Sequence, residues 1–520
     1  MRVASRSPCT ETMGAGGDIA ALLSRAAELA QGPAPDTARG TIDALFAVAP
    51  NHPDGLTLLG IVEQRSGNLQ AACDAFARAV AAEPDAPAKL ANYGAALKNA
   101  GDLAKAIAVL ERAIAVRPDA PAARNNLGSA LLAADRPGDA LEHLRMAVKI
   151  RPAYPEAWNN LGIALARSGQ HGQAISAYAT ALQHRPDYAE TGVNRAFAME
   201  ADGDIGGAIQ QLDRTLSRHQ AHWPAFANKA LLLEKAGRPV DAEQCHRRAI
   251  AIAPDQQMLY VNFATHFLKS GDARSAAEIC EAALRRPEPG TSVLALKALA
   301  LGQLGRTDER DDLLGIDRFV RVIDNIAPDD IASFGRDLSV ALRAHPTLTF
   351  EPEGLVTRSG HQSSELAGEG GTIGQLAAMA RKAVSNYLTD LPVGNHPFLA
   401  ARPDDWSLTL WGTVLQPGGE VGPHIHAPNW LSGVYYPDDN AIVAEQAPAG
   451  WFEIGKAPDA LGPSEALHRI APRAGRMILF PSYYYHRTLP FGGTTPRISF
   501  AFDVVPAGRG RAHRLASGKA

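Results

Sequence analysis

Three histidines near the C-terminal end of the chain have the type and spacing of a metal centre. His424 and His426, in GPHIHAPNW, are separated by one residue. On a strand, side chains at i and i+2 share a face, so both imidazoles converge on one ion. His486 follows in FPSYYYHRTLPF, at the end of another strand-like run. Arg497 comes next in RISFAF, and Ser499 stands two residues beyond it on the same strand face.

The elements that must position these residues are strands. WSLTLWGTVL, SGVYYP, GWFEIG, RMILFPS and RISFAFDVV are short runs rich in β-branched and aromatic residues, separated by Pro and Gly turns. An all-β core of that size points to a double-stranded β-helix, the jelly-roll or cupin architecture. Ahead of it, GIDRFVRVIDNIAPDDIASFGRDLSVALRAHP and IGQLAAMARKAVSNYLTDL read as flanking helices, with TRSGHQSSELAGEGG as a polar loop between them.

This constellation resembles the iron(II)- and 2-oxoglutarate-dependent oxygenases. The series HIHAPNWLSGVYYP, ILFPSYYYH and RISFAFDV is similar to one branch of that superfamily, over about residues 316–506. The resemblance implies that iron is held facially by a short His motif and a distant His, leaving positions open for cosubstrate and oxygen. It implies that Arg497 binds the far carboxylate of 2-oxoglutarate, with Ser499 beside it. A guanidinium suits that task because its fork matches a carboxylate and stays charged when desolvated. The family usually has Asp or Glu where this chain has His426. Either iron takes three imidazoles (His424, His426 and His486), or a water or another residue completes the site. Glu453 is a candidate carboxylate that no spacing requires. Tyr435, Tyr436, Trp411 and Trp430 read as core aromatics, and His361 and His468 lack partners at ligand spacing.

The first half of the chain is repetitive. Pro50, Pro84, Pro118, Pro152 and Pro186 stand 34 residues apart. Small residues recur at Gly60, Gly94, Gly128, Gly162, Ala196, Ala230, Ala264 and Ala298, and Gly67, Gly101, Gly169, Gly203, Gly237, Gly271 and Gly305 form a second column, broken at Asp135. Ala72, Ala106, Ala140, Ala174, Ala208, Ala242 and Ala276 form a third. A small residue lets the two helices of a hairpin cross closely, Gly supplies the turn, and Pro stops the second helix. The period and all these markers resemble the tetratricopeptide repeat over roughly residues 17–314. The expected architecture is thus an α-helical tetratricopeptide-repeat solenoid (17–314), then a mainly β jelly-roll oxygenase domain with flanking helices (315–506). A disordered start (1–16) and a basic disordered tail (507–520) are expected outside them.

Asn92, Asn126, Asn160, Asn194, Asn228 and Asn262 form a further column at the same step. In arrays of this family the position faces the concave groove. An amide carries both a donor and an acceptor, so the ladder suits an extended polypeptide of any sequence.

Composition bounds the remaining possibilities. The chain has 520 residues, 46% of them hydrophobic, and a net charge of −4, which gives no electrostatic footprint for nucleic acid. Cys9, Cys73, Cys245 and Cys280 form no CxxC pair, which excludes a zinc ribbon. No stretch is apolar enough to span a membrane. A cytoplasmic dioxygenase hydroxylating a protein or peptide held by the repeats is the leading expectation. A repeat scaffold or adaptor with a metal-binding jelly roll, and a small-molecule oxygenase whose repeats serve assembly, are the alternatives.

Overall fold

The computed structural model describes residues 15–32, 35–286, 290–328, 330–352, 354–438, 447–508, 510 and 512–513. Most of the two expected disordered termini, residues 1–14 and 514–520, lies outside these, as does Cys9. The chain forms two compact units, Met1–Ala236 and Gly237–Ala520.

The first unit is built of antiparallel helix pairs, such as Pro87–Asn99 with Leu103–Val116 and Pro121–Ala133 with Pro137–Ile150. The columns of small residues explain why they pair. A Cβ on Gly94 would fall 2.4 Å from the Leu110 side chain, and one on Gly128 would fall 2.5 Å from Leu144. Each leucine belongs to the second helix of the same hairpin, so only a small residue permits the crossing. The turns at Gly101 and Gly169 are left-handed, with φ of 88° and 72°. Asp135, at the break in that column, adopts the same conformation with φ 57°, which Asp tolerates better than most side chains. Ala72, Ala106, Ala140 and Ala174 are each 0% exposed. Prolines 53, 87, 121 and 155 open helices, where a missing N–H costs nothing.

The second unit begins with the helix Pro239–Ile252 and continues in further helix pairs, Gln257–Lys269 with Ala273–Leu284 and Thr291–Gln303 with Thr307–Leu314. Its strands among the described residues are β1 (Arg321–Ile323), β2 (Thr349–Phe350), β3 (Thr357–Gln362), β4 (Trp406–His424), β5 (Leu431–Tyr436), β6 (Phe452–Ile454), β7 (His468–Ile470), β8 (Arg476–Pro481), β9 (His486–Thr488) and β10 (Arg497–Pro506). All pair antiparallel in one curled sheet of order β1-β8-β5-β10-β4-β9-β6-β7, with β3 on β4 and β2 on β3. This is the jelly roll anticipated from the strand-like runs. Helices Ile331–Arg343 and Gly371–Asp390 share its apolar core through Leu338, Leu376 and Val384.

Three local expectations change, the first at Arg321–Ile323, which lies in a run read as helical and forms β1 against β8. TRSGHQ is a strand, not a loop: Thr357 and Gln362 are buried and hydrogen-bonded to each other at 2.9 Å, which makes a polar strand tolerable against β4. His486 opens β9 and does not end the preceding run, because Ser482–Tyr485 turn between β8 and β9.

Candidate functional site

β4 and β9 bring the two ends of the histidine motif together. His424, the last residue of β4, pairs directly with His486, the first of β9. His426 lies past the end of β4, in a turn that its own N–H ties to the Ser482 carbonyl at 2.9 Å. The shared-strand argument therefore holds for His424 alone, and the turn delivers His426 to the same point. Ring centroids lie 4.2 Å apart for His424 and His486, 4.8 Å for His424 and His426, and 4.9 Å for His426 and His486.

The hydrogen bonds around the rings decide which nitrogen faces inward. Each Nδ1 meets an acceptor: the Gly422 carbonyl at 2.8 Å from His424, the Asp503 carboxylate at 2.8 Å from His426, and the Tyr484 carbonyl at 2.9 Å from His486. A carbonyl only accepts, so Nδ1 carries the proton and Nε2 presents a lone pair. The Nε2 atoms of His424 and His426 approach to 2.8 Å. Two such lone pairs repel at that distance unless a cation lies between them. Burial, reinforced by neighbouring His426, pushes His424 down to about 3. Burial, with His424 second, also holds His486 well below the usual histidine range. Both rings are neutral at pH 7, as metal ligation requires.

Asp503 is the residue that motif spacing did not single out. Its Oδ1 also accepts from Ser432 Oγ at 2.6 Å, and its Oδ2 from Asn429 Nδ2 at 2.9 Å. The signal was present in the sequence: Asp503 continues the two-residue alternation of Arg497 and Ser499 along β10. Ser432 stands opposite Asp503 in the β5–β10 register. A carboxylate on the outer nitrogen of a ligating imidazole fixes its tautomer and raises its basicity.

Arg497 lies on the same strand, 3% exposed, with its guanidinium 5.0 Å from the centre of the Tyr436 ring. Its Nε and Nη1 are buried without a hydrogen-bond partner. A buried guanidinium with two idle donors fits a missing carboxylate. Ser499 lines a cavity of about 340 Å³ with the three histidines, Asp503 and Trp411. Described residues of the C-terminal segment reach this cavity too. The His513 ring stacks on Trp411 at 4.4 Å, and the His513 backbone N–H donates to Thr409 Oγ1 at 2.9 Å.

The other candidates fall outside the cluster. Glu453, 0% exposed, is clamped by Arg469 and Arg487, each at 2.7 Å, and faces away from the histidines. Tyr435 donates to the Ile326 carbonyl within the core, and Trp430 stacks on Phe398. His361 packs on Phe350, and His468 lies on β7.

The asparagine column is half engaged. Asn126 donates to the Ala91 carbonyl, Asn160 to Asn125 and Asn194 to Asn159, each one repeat back. Asn92, Asn228 and Asn262 make no such bond among the described residues.

Residues 409–503 match a family described as "Putative 2OG-Fe(II) oxygenase". Residues 26–87, 94–155 and 155–188 match tetratricopeptide repeat models. The chain is similar to YrrB, a tetratricopeptide repeat protein with an unusual peptide-binding site (19% identity, 36% of this chain and 96% of that one, TM-score 0.31). It is also similar to TTC0263, a thermophilic repeat protein of Thermus thermophilus (24%, 35% and 100%, TM-score 0.31). A repeat protein from Parabacteroides merdae ATCC 43184 is similar as well (14%, 48% and 98%, TM-score 0.39). No curated protein matches the chain. No helix among the described residues is long and apolar enough to cross a membrane.

Proposed function

We propose, for a chain that joins tetratricopeptide repeats to a 2OG-Fe(II) oxygenase-family segment, that it is an iron(II)- and 2-oxoglutarate-dependent dioxygenase of the cytoplasm, hydroxylating a protein or peptide. The observation that carries this reading is the pairing of three inward lone pairs with a buried guanidinium that keeps two idle donors in one jelly roll. His424, His426 and His486 would hold the iron, and Arg497 with Ser499 the far carboxylate of 2-oxoglutarate. Bound iron and cosubstrate supply oxygen activation, with decarboxylation to succinate and oxidation of a substrate C–H bond.

The chain's own residues set the conditions for that chemistry. Three carbonyl or carboxylate acceptors lock the imidazole tautomers, so no ligand must lose a proton on binding metal. With no carboxylate among the three ligands, Asp503 places the nearest negative charge one hydrogen bond away, through His426. Trp411, Phe452 and Phe480 wall the cavity and limit water beside the histidines.

The repeat array supports a polypeptide substrate through Asn92, Asn228 and Asn262, whose amides are uncommitted, and through Asn126, Asn160 and Asn194, whose amides keep further bonding capacity. Equilibrium titration of the full chain under nitrogen tests the cofactor assignment. One iron(II) and, in its presence, one 2-oxoglutarate per chain is the expected result. Binding of 2-oxoglutarate that ignores both iron and Arg497→Leu would overturn it.

A further inference from the structure

A second group of charged side chains, in the first compact unit, has no part in the chemistry above. The 34-residue column that holds Tyr93, Leu127 and Leu161 in successive repeats holds Arg195 in the next. Leu127 and Leu161 are 1% and 5% exposed, so the half-buried Arg195 guanidinium occupies a place that these two repeats give to core hydrocarbon, and the following repeat again puts a cation there, Lys229. Its Nη1 donates to Gln211 Oε1 at 2.9 Å, while its Nε is buried without a partner.

Arg214, Arg218 and His219 line the same cleft of about 150 Å³, together with Tyr188 and Thr215. Arg218 reaches only a backbone carbonyl, that of Arg214, at 3.4 Å, and His219 Nε2 is buried and unpartnered. Burial, then the charge of Arg214, lowers the Arg195 pKa. Among the described residues no carboxylate pairs with any of the four. Two carboxylates of the adjoining repeat helices are already taken: Asp213 pairs with Lys229 at 2.6 Å, and Glu156 pairs with Arg185. Glu190, near Tyr188, makes no ion pair with the cluster. Like charges gathered in a partly desolvated cleft repel and disfavour the fold unless an anion joins them.

We infer that this cleft is a binding site for a phosphoryl-type oxyanion, either free or carried on a polypeptide. Three guanidiniums call for more than one negative charge, and their forked donors match the oxygens of a tetrahedral anion. The cleft is smaller than the usual range for drug-sized ligands, so it takes the anionic group and leaves the remainder of a larger ligand outside.

Thermal denaturation of the full chain in inorganic phosphate, matched in ionic strength with chloride, tests the site. The wild-type melting temperature should rise with phosphate concentration. Arg195→Leu restores the residue that the array uses at Leu127 and Leu161. It should melt at least as high as wild type without phosphate and gain nothing from it. The double variant Arg214→Ala, Arg218→Ala changes exposed positions and should weaken phosphate binding at least tenfold. A phosphoserine peptide that binds more tightly than inorganic phosphate assigns the anion to a polypeptide. One that binds no more tightly assigns it to a free ligand. No phosphate-dependent gain in the wild type, or the same gain in Arg195→Leu, would overturn the proposal.

Discussion

The helix pairs of the first unit and the curled sheet of the second treat their polar side chains differently. In the helical array Asn126, Asn160 and Asn194 each give an amide hydrogen to the preceding repeat, so these polar groups are spent on holding neighbours together. In the sheet, the outer nitrogens of three histidines are satisfied while the inner ones face each other, and Arg497 keeps two buried donors idle. A fold leaves buried polar atoms unpaired only at a cost, so that pattern marks where a ligand belongs.

The sharpest way to break this contrast is His486→Ala. Removing an inner lone pair should abolish stoichiometric iron(II) binding, read by equilibrium dialysis. Unchanged affinity would take His486 out of the coordination sphere.

Arg497→Leu comes next, with effects of opposite sign on two measurements. The dissociation constant for 2-oxoglutarate should rise at least tenfold, since losing a buried charge-assisted pair costs about 2–5 kcal/mol. The ligand-free chain should melt no lower than wild type, because a buried, unpaired charge has been replaced by hydrocarbon.

Asp503→Asn should weaken iron(II) binding by roughly 10–100-fold, the usual effect of removing such a partner. Its expected signature is a mixed His426 tautomer in the ¹⁵N spectrum of the metal-free chain, since an amide also donates. A spectrum that still shows a single Nδ1–H form would leave Asp503 with a packing role only.

Acid should distinguish the sheet in a direction set by its histidines. Burial holds His424 and His486 neutral in the folded chain, while the unfolded chain takes up protons below about 6.5. Metal-free protein should therefore lose stability as the pH falls from about 6.5 toward 3. Replacing His424 by Gln should flatten that slope in a series of urea melts.

The smallest effects belong to the array. Asn160→Ala should cost about 0.5–1.5 kcal/mol of stability, one ordinary hydrogen bond. The triple change of Asn92, Asn228 and Asn262 to Ala should leave melting nearly untouched and weaken capture of an extended peptide library. The reverse assignment of these two effects would erase the distinction between engaged and available amides.

Repetition made the helical array legible, because every structural constraint recurs at a fixed step. Gly94 meets Leu110 as Gly128 meets Leu144, and Asp135 fills the left-handed turn where the Gly column breaks. The strands of the sheet were legible where they are apolar, as in β5, β8 and β10. β3 was not, since Thr357 and Gln362 satisfy each other across a bulged, polar strand. The three histidines were found by spacing, although the chain brings His426 inward by a turn. Asp503 was hidden because its role depends on register across β5 and β10, which no short motif records. The Arg195 cleft was hidden for a related reason: it shows only when one repeat is compared with the others and its charges prove to lack partners.

If the three histidines and Arg497 form one iron and 2-oxoglutarate site, the chain converts 2-oxoglutarate to succinate. Purified chain given 2-oxoglutarate and oxygen should release succinate with iron(II) and none after chelation, and His486→Ala should release none under either condition. Wild-type protein that forms no succinate with iron(II) bound, or forms it equally after chelation, would contradict the account.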